Sequence, residues 1–356
     1  VLRIIRTGDT RLWVAVGVVV GIGLMNKHTV LFWVAGMGVG LLATPERRLL
    51  ASRWLVVGGA VAAFLVLPNL VWQVQHDFAT LTFLGNLRRR LLAENMTQFV
   101  PIQLGLVTLA GTVVAIVGLR WLVRRPAGDT PSGSSYRALA IGYLAVVVVL
   151  FALGGKGYYV GSMYLPLVAA GSVAVERTWS ARGRRGIAVA VVFTGLLSAP
   201  VFTPILPSSA LRTVKLHEVN ADLGGLLGWH DVARAVAAVH RSLPPGERAG
   251  AVILTSNYSE AGAVDYWRSS LGLPKAISGH NNYWIWGPGR ARQGTAVVVG
   301  FSSDYLSRYF GRVDLAAVIR RSDGLLDKQE VGQSIWICRQ QLRPWPVIWP
   351  ELKTFS

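Results

Sequence analysis

The chain has 356 residues, of which 52% are hydrophobic and only 15% are charged, and its mean hydropathy is +0.43. This composition is too apolar for an ordinary soluble enzyme of this length. Lysine and arginine number 36 against 18 acidic residues, which gives a formal net charge of +18. The basic residues lie mostly between apolar runs, so nucleic acid is not a predicted partner. A single cysteine, Cys338, excludes an internal disulfide.

Several apolar runs without a charged residue approach the roughly 20 residues that a helix needs to cross a bilayer core about 30 Å thick. They are residues 54–75, 99–119, 138–155, 157–175 and 186–211. An earlier stretch, residues 12–43, is apolar except at Lys27 and His28 and is too long for one straight crossing. We therefore expect a hairpin of two short helices there, and about seven transmembrane helices in all.

The distribution of basic residues predicts the orientation of these spans. Seven alternating spans place fourteen lysines and arginines on the side of the N-terminus and five on the opposite side. The five are Lys27, Arg88, Arg89, Arg90 and Lys156. Because cytoplasmic loops carry an excess of basic residues, we expect the N-terminus and the loop at residues 128–135 in the cytoplasm. The chain opens at Val1 with neither a methionine nor a signal-peptide pattern, which indicates a fragment of a longer protein.

The composition changes after residue 210. Twelve of the 18 acidic residues lie beyond Leu211. Strand-sized apolar runs at 251–255, 295–299 and 334–338 alternate with helix-like stretches at 231–243 and 259–271, an order typical of a small α/β domain. The sequence thus predicts a polytopic α-helical membrane domain, residues 1–210, followed by a soluble α/β domain, residues 211–356. Seven crossings would place the soluble domain outside the plasma membrane.

Polar residues gather at the predicted outer boundary of the membrane. Six of them are candidate substrate-binding residues: Lys27, His28, His76, Lys156, Tyr158 and Tyr159. A lysine at the end of a span can bind a phosphate or simply extend its charge to the interface, and both interpretations stay open. Lys156 lies in Gly154-Gly155-Lys156-Gly157-Tyr158-Tyr159, where glycines allow close approach of a headgroup and tyrosines supply hydrogen-bond donors.

Other polar residues have weaker functional interpretations. Asp77 and Glu94 are the only acids in the predicted outer loops, and each is either a base or a local capping or ion-pairing group. Together with His28 and His76, these two acids are possible ligands of a divalent metal, which is the only cofactor considered. No close ligand spacing supports such a site. The basic run at residues 88–90 suits either an anionic headgroup or a solvated face on anionic lipid.

In the soluble domain, residues 278–288 combine amides with several aromatic rings, which suits a sugar-binding surface, a packed loop or an aromatic edge that faces the membrane. Asn257 and Ser259 are candidate N-caps of the helix that follows the first strand. The chain contains no Walker loop, no G-x-S-x-G and no dinucleotide fingerprint. Nucleotide-driven transport and α/β-hydrolase chemistry are therefore not predicted.

Four passages resemble the multispanning GT-C glycosyltransferases of the protein O-mannosyltransferase and aminoarabinose-transferase-like type, in particular a bacterial subgroup. They are residues 21–29 with Asn26-Lys27-His28-Thr29, residues 68–76 with Pro68-Asn69-Leu70-Val71-Trp72-Gln73, residues 156–166, and the soluble pair 257–265 and 278–286. Members of this family use polyprenyl-phosphate sugars as donors.

The resemblance implies that Lys27 and Lys156 hold the lipid phosphate of such a donor. It also implies that the catalytic carboxylate belongs to the family's first outer loop, upstream of Val1, so that no catalytic residue is expected here and the fragment alone should be inactive. The expected partners are a polyprenyl-phosphate sugar donor, membrane lipid, and a glycan, lipid or protein acceptor.

Two other classes of function remain open at this stage. A secondary transporter or lipid flippase would also have many spans and charges inside the membrane, although no inverted repeat is visible. A non-catalytic membrane scaffold with a glycan-binding outer domain is the third class. The identity of the sugar and of the acceptor does not follow from the sequence.

Overall fold

The computed structural model describes residues 1–124, 136–322 and 330–355. The chain divides into two compact units, Val1–Leu196 and Leu197–Ser356. The division falls within the helix Ala181–Phe202, whereas the sequence suggested residue 210. The loop at 128–135, expected in the cytoplasm, lies outside the described residues.

The described part of the first unit is helical. Its α-helices are α1 (Leu2–Thr7), α2 (Trp13–Asn26), α3 (Val30–Leu42), α4 (Arg53–Gln75), α5 (Ala79–Gly105), α6 (Thr108–Arg124), α7 (Arg137–Ala152), α8 (Tyr164–Thr178) and α9 (Ala181–Phe202). Short 3-10 helices cover Thr10–Leu12, Pro45–Leu50 and Gly157–Met163. The two short helices expected across residues 12–43 are present as α2 and α3.

Within the described residues, three helices are long and apolar enough to cross a membrane: Arg53–Gln75, Gly157–Thr178 and Ala181–Phe202. A fourth span results if the bent pair α5 and α6 forms one crossing. Three further apolar helices are shorter: Thr10–Asn26, Val30–Leu42 and Arg137–Ala152. The chain is therefore a mainly helical protein with at least three helices suited to a bilayer.

The expected span at residues 99–119 is not one continuous helix. The chain bends by 89° between Gly105 and Thr108, so this stretch contributes to two helices. Thr108, the first residue of α6, has a φ of 64°, a left-handed conformation that the interior of an α-helix does not accommodate. The residues on both sides of the bend are apolar, so the composition of the sequence does not indicate where the helix is interrupted.

Glycines set the close packing of three helix pairs: α2 on α4, α3 on α7, and α6 on α8. A Cβ atom added at Gly58 would collide with the backbone of Trp13, and one added at Gly40 would collide with that of Ala138. Gly118 and Gly171 meet the facing backbones of α8 and α6 in the same way. Small residues at such contacts are typical of membrane helices, where close backbone approach replaces hydrophobic driving force. We call these three contacts the glycine seams.

The second unit contains a five-stranded mixed sheet among its described residues. The strands are β1 (Val252–Thr255), β2 (Ala276–Ser278), β3 (Ala296–Val299), β4 (Phe310–Val318) and β5 (Ser334–Gln341), in the spatial order β2-β1-β3-β5-β4. β1 pairs in parallel with β2 and β3, while β5 pairs antiparallel with β3 and β4. This arrangement is an α/β sheet with an antiparallel edge.

Helices cover both faces of this sheet. The α-helices of the second unit after α9 are α10 (Ser208–Val214), α11 (Leu216–Val219), α12 (Ala221–Gly225), α13 (Trp229–Ser242), α14 (Pro245–Arg248), α15 (Tyr258–Leu271), α16 (Asn282–Trp286), α17 (Ser303–Leu306) and α18 (Trp345–Ile348). One core joins α13 and α15 to Ile253 and Val297 of the sheet. The opposite core joins Leu254 and Val298 to the C-terminal residues Trp345 and Trp349. The three expected strands and the two expected long helices are confirmed to within a few residues.

Candidate functional site

The turn between α2 and α3 holds the first candidate residue. Lys27 has an extended backbone, with φ −152° and ψ 122°, and ends α2. Its N–H donates to the Gly23 carbonyl at 2.8 Å, and its own carbonyl accepts from Val30 N–H at 3.2 Å. The backbone of the turn is thus satisfied by the two helices, and the Lys27 side chain is exposed at their junction.

Lys27 meets the passage around Lys156 through two tyrosines. Its Nζ lies 5.7 Å from the ring centre of Tyr158 and 5.2 Å from that of Tyr159. Lys156 Nζ lies 5.8 Å from the same Tyr158 ring. Both ammonium groups are within cation–π distance of one aromatic pair. We call Lys27, Lys156, Tyr158 and Tyr159 the lysine–tyrosine cluster.

Hydrogen bonds from α5 fix the chain on either side of Lys156. Asn95 Nδ2 donates to the Gly154 carbonyl at 2.9 Å, and Gln103 Nε2 donates to the Gly157 carbonyl at 3.0 Å. Gly154 has a φ of 66°, which only glycine adopts without strain. The position of Lys156 is therefore set by two amide side chains for which no sequence pattern predicts this role.

An apolar groove of about 640 Å³ runs along α2 from Leu12 to Lys27. Val16, Val19, Val20 and Gly23 line it from α2, and Val30, Phe32 and Trp33 line it from α3. Tyr159, Ser162 and Met163 complete the wall beside Lys27. The groove therefore combines a long hydrocarbon-like surface with the Lys27 ammonium group at the end of its α2 wall, and Arg3 also lines it.

Within the described residues, no carboxylate forms an ion pair with Lys27 or Lys156. Both charges are thus available to an external anion. An ammonium group bound only to π-systems retains most of its capacity to donate hydrogen bonds to phosphate oxygens.

The two candidate histidines both contact residues of α4, and neither is part of the lysine–tyrosine cluster. His28 Nε2 is 3.0 Å from Asn69 Oδ1, which ties the α2–α3 turn to α4. His76 stacks on Trp72 with ring centres 4.4 Å apart, and its Nδ1 lies 2.8 Å from the Trp72 carbonyl. Positions 69, 72 and 76 follow helical spacing, so these contacts form one continuous strip. The lysine–tyrosine cluster and this strip meet at the neighbouring residues Lys27 and His28.

Metal binding finds no support in the geometry. The described part of the chain contains no group of three or more His, Cys, Asp and Glu side chains able to hold a metal ion. Asp77 lies in the turn between α4 and α5, with a φ of 50°, and Glu94 lies on the exposed surface of α5. The basic run Arg88, Arg89 and Arg90 is exposed on the same helix.

The aromatic passage of the second unit divides into a packed and an exposed part. Trp284 Nε1 donates to the Trp349 carbonyl and Trp349 Nε1 donates to the Trp284 carbonyl, both at 3.0 Å. Trp286, two residues later, is 61% exposed. Asn257 caps α15 as expected, in a reciprocal capping box with Glu260.

Comparisons with known proteins bear on the first unit most directly. The family model described as dolichyl-phosphate-mannose-protein mannosyltransferase matches residues 1–72. The lipid A galacturonosyltransferase RgtD of Rhizobium johnstonii is 27% identical over 283 residues, which cover 73% of this chain and 55% of RgtD. The chain thus spans about half the length of this curated relative. No solved structure matches it.

The resemblance to the GT-C glycosyltransferases of this type is confirmed. The family match includes the α2–α3 turn with Lys27 and the α4 strip up to Trp72. Three of the four passages that carry the resemblance are linked by contacts in the structure, through His28 with Asn69 and Lys27 with the two tyrosines. Asn69 already lies in one of those passages, whereas no local sequence pattern marks Asn95 and Gln103 as part of this region.

Proposed function

We propose that this chain belongs to a membrane glycosyltransferase that moves a sugar from a polyprenyl phosphate to an acceptor, and that Lys27 binds the donor phosphate. The observation that carries the proposal is the apolar groove along α2 with an unpaired ammonium group at one end of it. A donor of this class has the same two parts, a long hydrocarbon tail and an anionic phosphate.

The groove supports this donor by its dimensions and its chemistry. α2 has 14 residues and is therefore about 21 Å long, which accommodates several isoprene units. Its lining residues between Leu12 and Gly23 are almost entirely aliphatic, so a polyprenyl tail would bury apolar surface against them. Lys27 and Tyr159 then lie where the headgroup would begin.

The reaction in this proposal is a displacement at the anomeric carbon. A hydroxyl oxygen of the acceptor forms the new bond to that carbon, while the bond from the carbon to the phosphate oxygen breaks. The departing polyprenyl phosphate gains negative charge, which Lys27 stabilises, with Lys156 adding to the positive potential. The acceptor proton passes to a carboxylate, which we place outside the present 356 residues. The phosphate ester supplies the activation, so no nucleotide site is needed.

The orientation that we propose follows the basic residues. Seven spans with the N-terminus in the cytoplasm would place the lysine–tyrosine cluster at the outer membrane boundary and the second unit outside the cell. This topology would bring the donor headgroup to the side where envelope glycans and lipids are modified. Glycan, lipid or protein hydroxyls are all acceptors compatible with it.

Substitution of Lys27 tests the proposed role. In the full-length protein, Lys27→Met should reduce transfer from a radiolabelled polyprenyl-phosphate sugar by roughly ten- to hundredfold, since a charge-assisted contact to phosphate contributes about 1.5 to 3 kcal/mol. Lys27→Arg should retain more activity because it keeps the charge. The assay compares variants at matched expression, with detergent gel filtration as the check on folding.

A matched control is Lys215→Met, which removes an exposed lysine of the second unit that pairs with Glu218. It should leave transfer unchanged. Full activity in Lys27→Met would remove Lys27 from the donor site. Failure of the wild-type protein to consume any donor across a broad panel would favour a lipid transporter or a scaffold instead.

A further inference from the structure

The second unit contains a cleft that the proposed transfer reaction does not use. It has a volume of about 340 Å³ and lies at the amino ends of β1 and β2. Its walls come from residues 249–252, residues 274–277, and the segment 286–292 that leads back to β3. A cleft of this size is at the lower end of the range for small-molecule sites and suits one or two sugar rings.

The cleft is lined by three cations and two aromatic rings. Lys275, Arg290 and Arg292 are all exposed. Lys275 Nζ lies 5.8 Å from the ring centre of Trp286, and Tyr283 meets Trp286 edge to face at 4.8 Å. The Trp286 ring is therefore an open platform with positive charge beside it.

These positive charges have no acidic partner in the part of the chain that the structure describes. No ion pair involves Lys275, Arg290 or Arg292, and no Asp or Glu is among the residues that line the cleft. The neighbouring carboxylate, Asp265, accepts from the Ala276 N–H at 2.9 Å and from the Tyr283 hydroxyl at 3.0 Å. Both of its oxygens are therefore occupied in holding the wall of the cleft.

The backbone of the cleft is held in place by contacts on its far side. Trp284 points away from Trp286 in the short helix α16 and exchanges two hydrogen bonds with Trp349. The Arg292 carbonyl accepts from Trp345 Nε1 at 3.0 Å. Gln293 Nε2 donates to the Gln341 carbonyl at 2.8 Å. The exposed groups thus stand on an anchored segment, so a ligand would not have to order it first.

We propose that this cleft binds an anionic sugar, a pyranose that carries a carboxylate or a phosphate. The C–H face of a pyranose stacks on an indole ring, and the three cations match a carboxylate or phosphate through charge-assisted hydrogen bonds. A neutral sugar would leave the charges unused, and a simple anion would leave the ring uncovered. The inference stands on the second unit alone and is independent of the role proposed for Lys27.

Isothermal titration calorimetry on the full chain in detergent tests the inference with four probes at millimolar concentration. They are glucuronate, glucose 6-phosphate, glucose and inorganic phosphate. We expect at least one of the two anionic sugars to bind, and its affinity to exceed that of glucose and of inorganic phosphate at least tenfold. The first two probes separate a carboxylate from a phosphate ligand.

Variants then assign the binding to the cleft. Trp286→Ala and Arg290→Gln should each weaken it at least tenfold, and Trp286→Phe should weaken it less because it keeps a ring. Tyr266→Ala removes an aromatic side chain that is 80% exposed outside the cleft, and Arg320→Gln removes an exposed charge outside it. These two controls should bind as the wild type does.

Four results would overturn the proposal. Equal affinity for glucose would show that the cations are not used, and equal affinity for inorganic phosphate would show that the ring is not used. Binding that survives both cleft variants but disappears in Lys27→Met would assign the anionic sugar to the first unit. Absence of binding by all four probes would also contradict it. None of these results bears on transfer from a polyprenyl donor, which is measured separately.

Discussion

Glu260 has the most unusual environment of the titratable residues described in the second unit. Its side chain is fully buried at the start of α15. Oε2 accepts from the Ser256 N–H and hydroxyl, both at 3.0 Å, while Oε1 has no hydrogen-bond partner among the described residues. Burial raises the pKa of this carboxyl to about 7, against a usual value of 4.5, and the nearby Glu330 adds to the effect.

This carboxyl should make the second unit less stable as the pH rises. Its pKa is higher in the folded state, so the folded state holds the proton between pH 4.5 and about 7 while the unfolded state has lost it. The resulting stability is present in full below pH 4.5 and is lost as the pH rises through about 7, up to roughly 3 kcal/mol in total. Hydrogen exchange of amides in β1 and α15 should therefore accelerate between pH 5 and pH 8, beyond the intrinsic chemical change.

Glu260→Gln provides the comparison. An amide oxygen still accepts from the Ser256 and Asn257 backbones, but it does not titrate. The protection of this variant, corrected for intrinsic rates, should not fall as the pH rises across the same range, because the buried His240, whose pKa burial lowers, contributes in the opposite direction. If wild type and variant show the same pH profile, Glu260 is not the group responsible.

The candidate residues of the first unit show what single-residue reasoning can reach. Lys27 and Lys156 stood out because a cation beside an apolar run is costly and therefore informative. Asn95 and Gln103 did not, because their role is to hold the backbone around Lys156 across more than fifty residues of sequence. Contacts between distant segments leave no local pattern in the sequence. The members of the cluster were therefore predictable, but the two amide side chains that hold the backbone around Lys156 were not.

At the level of helices, the packing of α2 on α4 can be tested by comparing substitutions at two neighbouring glycines of α4, Gly58 and Gly59. Gly58→Ala on α4 should lower the free energy of unfolding by about 1 to 3 kcal/mol, because the added methyl group meets the backbone of Trp13 on α2. Gly59→Ala should be neutral or slightly stabilising, because nothing lies within 4 Å of its added methyl group. Thermal unfolding in one detergent measures both, with gel filtration to check assembly.

Gly58→Ala and Gly59→Ala are the same substitution on the same helix. Their difference in stability therefore contains no contribution from helix propensity or from the hydrophobicity of the added methyl group. Equal melting temperatures would mean that α2 and α4 do not pack through Gly58. A larger loss for Gly59→Ala would place the seam on the face of α4 that carries Gly59, about 100° around the helix from Gly58.

Secondary structure was more predictable for the long elements than for the short ones. The apolar runs and the strand-sized segments of the second unit gave β1, β3, β5, α13 and α15. β2 has only three residues, and β4 contains an irregularity between Leu315 and Ala317 that breaks the alternation of side chains. The sharp turn at Thr108 was missed for a related reason, since one residue with positive φ does not alter the composition of a span.

For the whole molecule, the arrangement across the membrane remains a prediction that labelling can test. Cysteine introduced by Ala181→Cys lies at the exposed start of α9 and should resist a membrane-impermeant maleimide in intact cells, since the proposed topology places it in the cytoplasm. Ser269→Cys lies on the exposed end of α15 and should react. Cys338 gives little background because it is fully buried and burial raises the pKa of its thiol to about 12.

Permeabilised cells provide the control, since both introduced cysteines should react there. The opposite labelling pattern in intact cells would place the second unit in the cytoplasm. It would also move the lysine–tyrosine cluster to the inner membrane boundary and change the side on which a donor headgroup is met.

The pairing of helices through the glycine seams also has a consequence for synthesis. α2 packs on α4, which is synthesised soon after it. α3 packs on α7, and α6 packs on α8, so α3 and α6 are synthesised before their partners. A chain leaves the ribosome from its N-terminus, so the face of α3 that carries Gly36 and Gly40 has no partner until α7 has entered the membrane. During that interval this small-residue face lies open to lipid or to an insertion chaperone, and a chain arrested after α6 would keep it exposed.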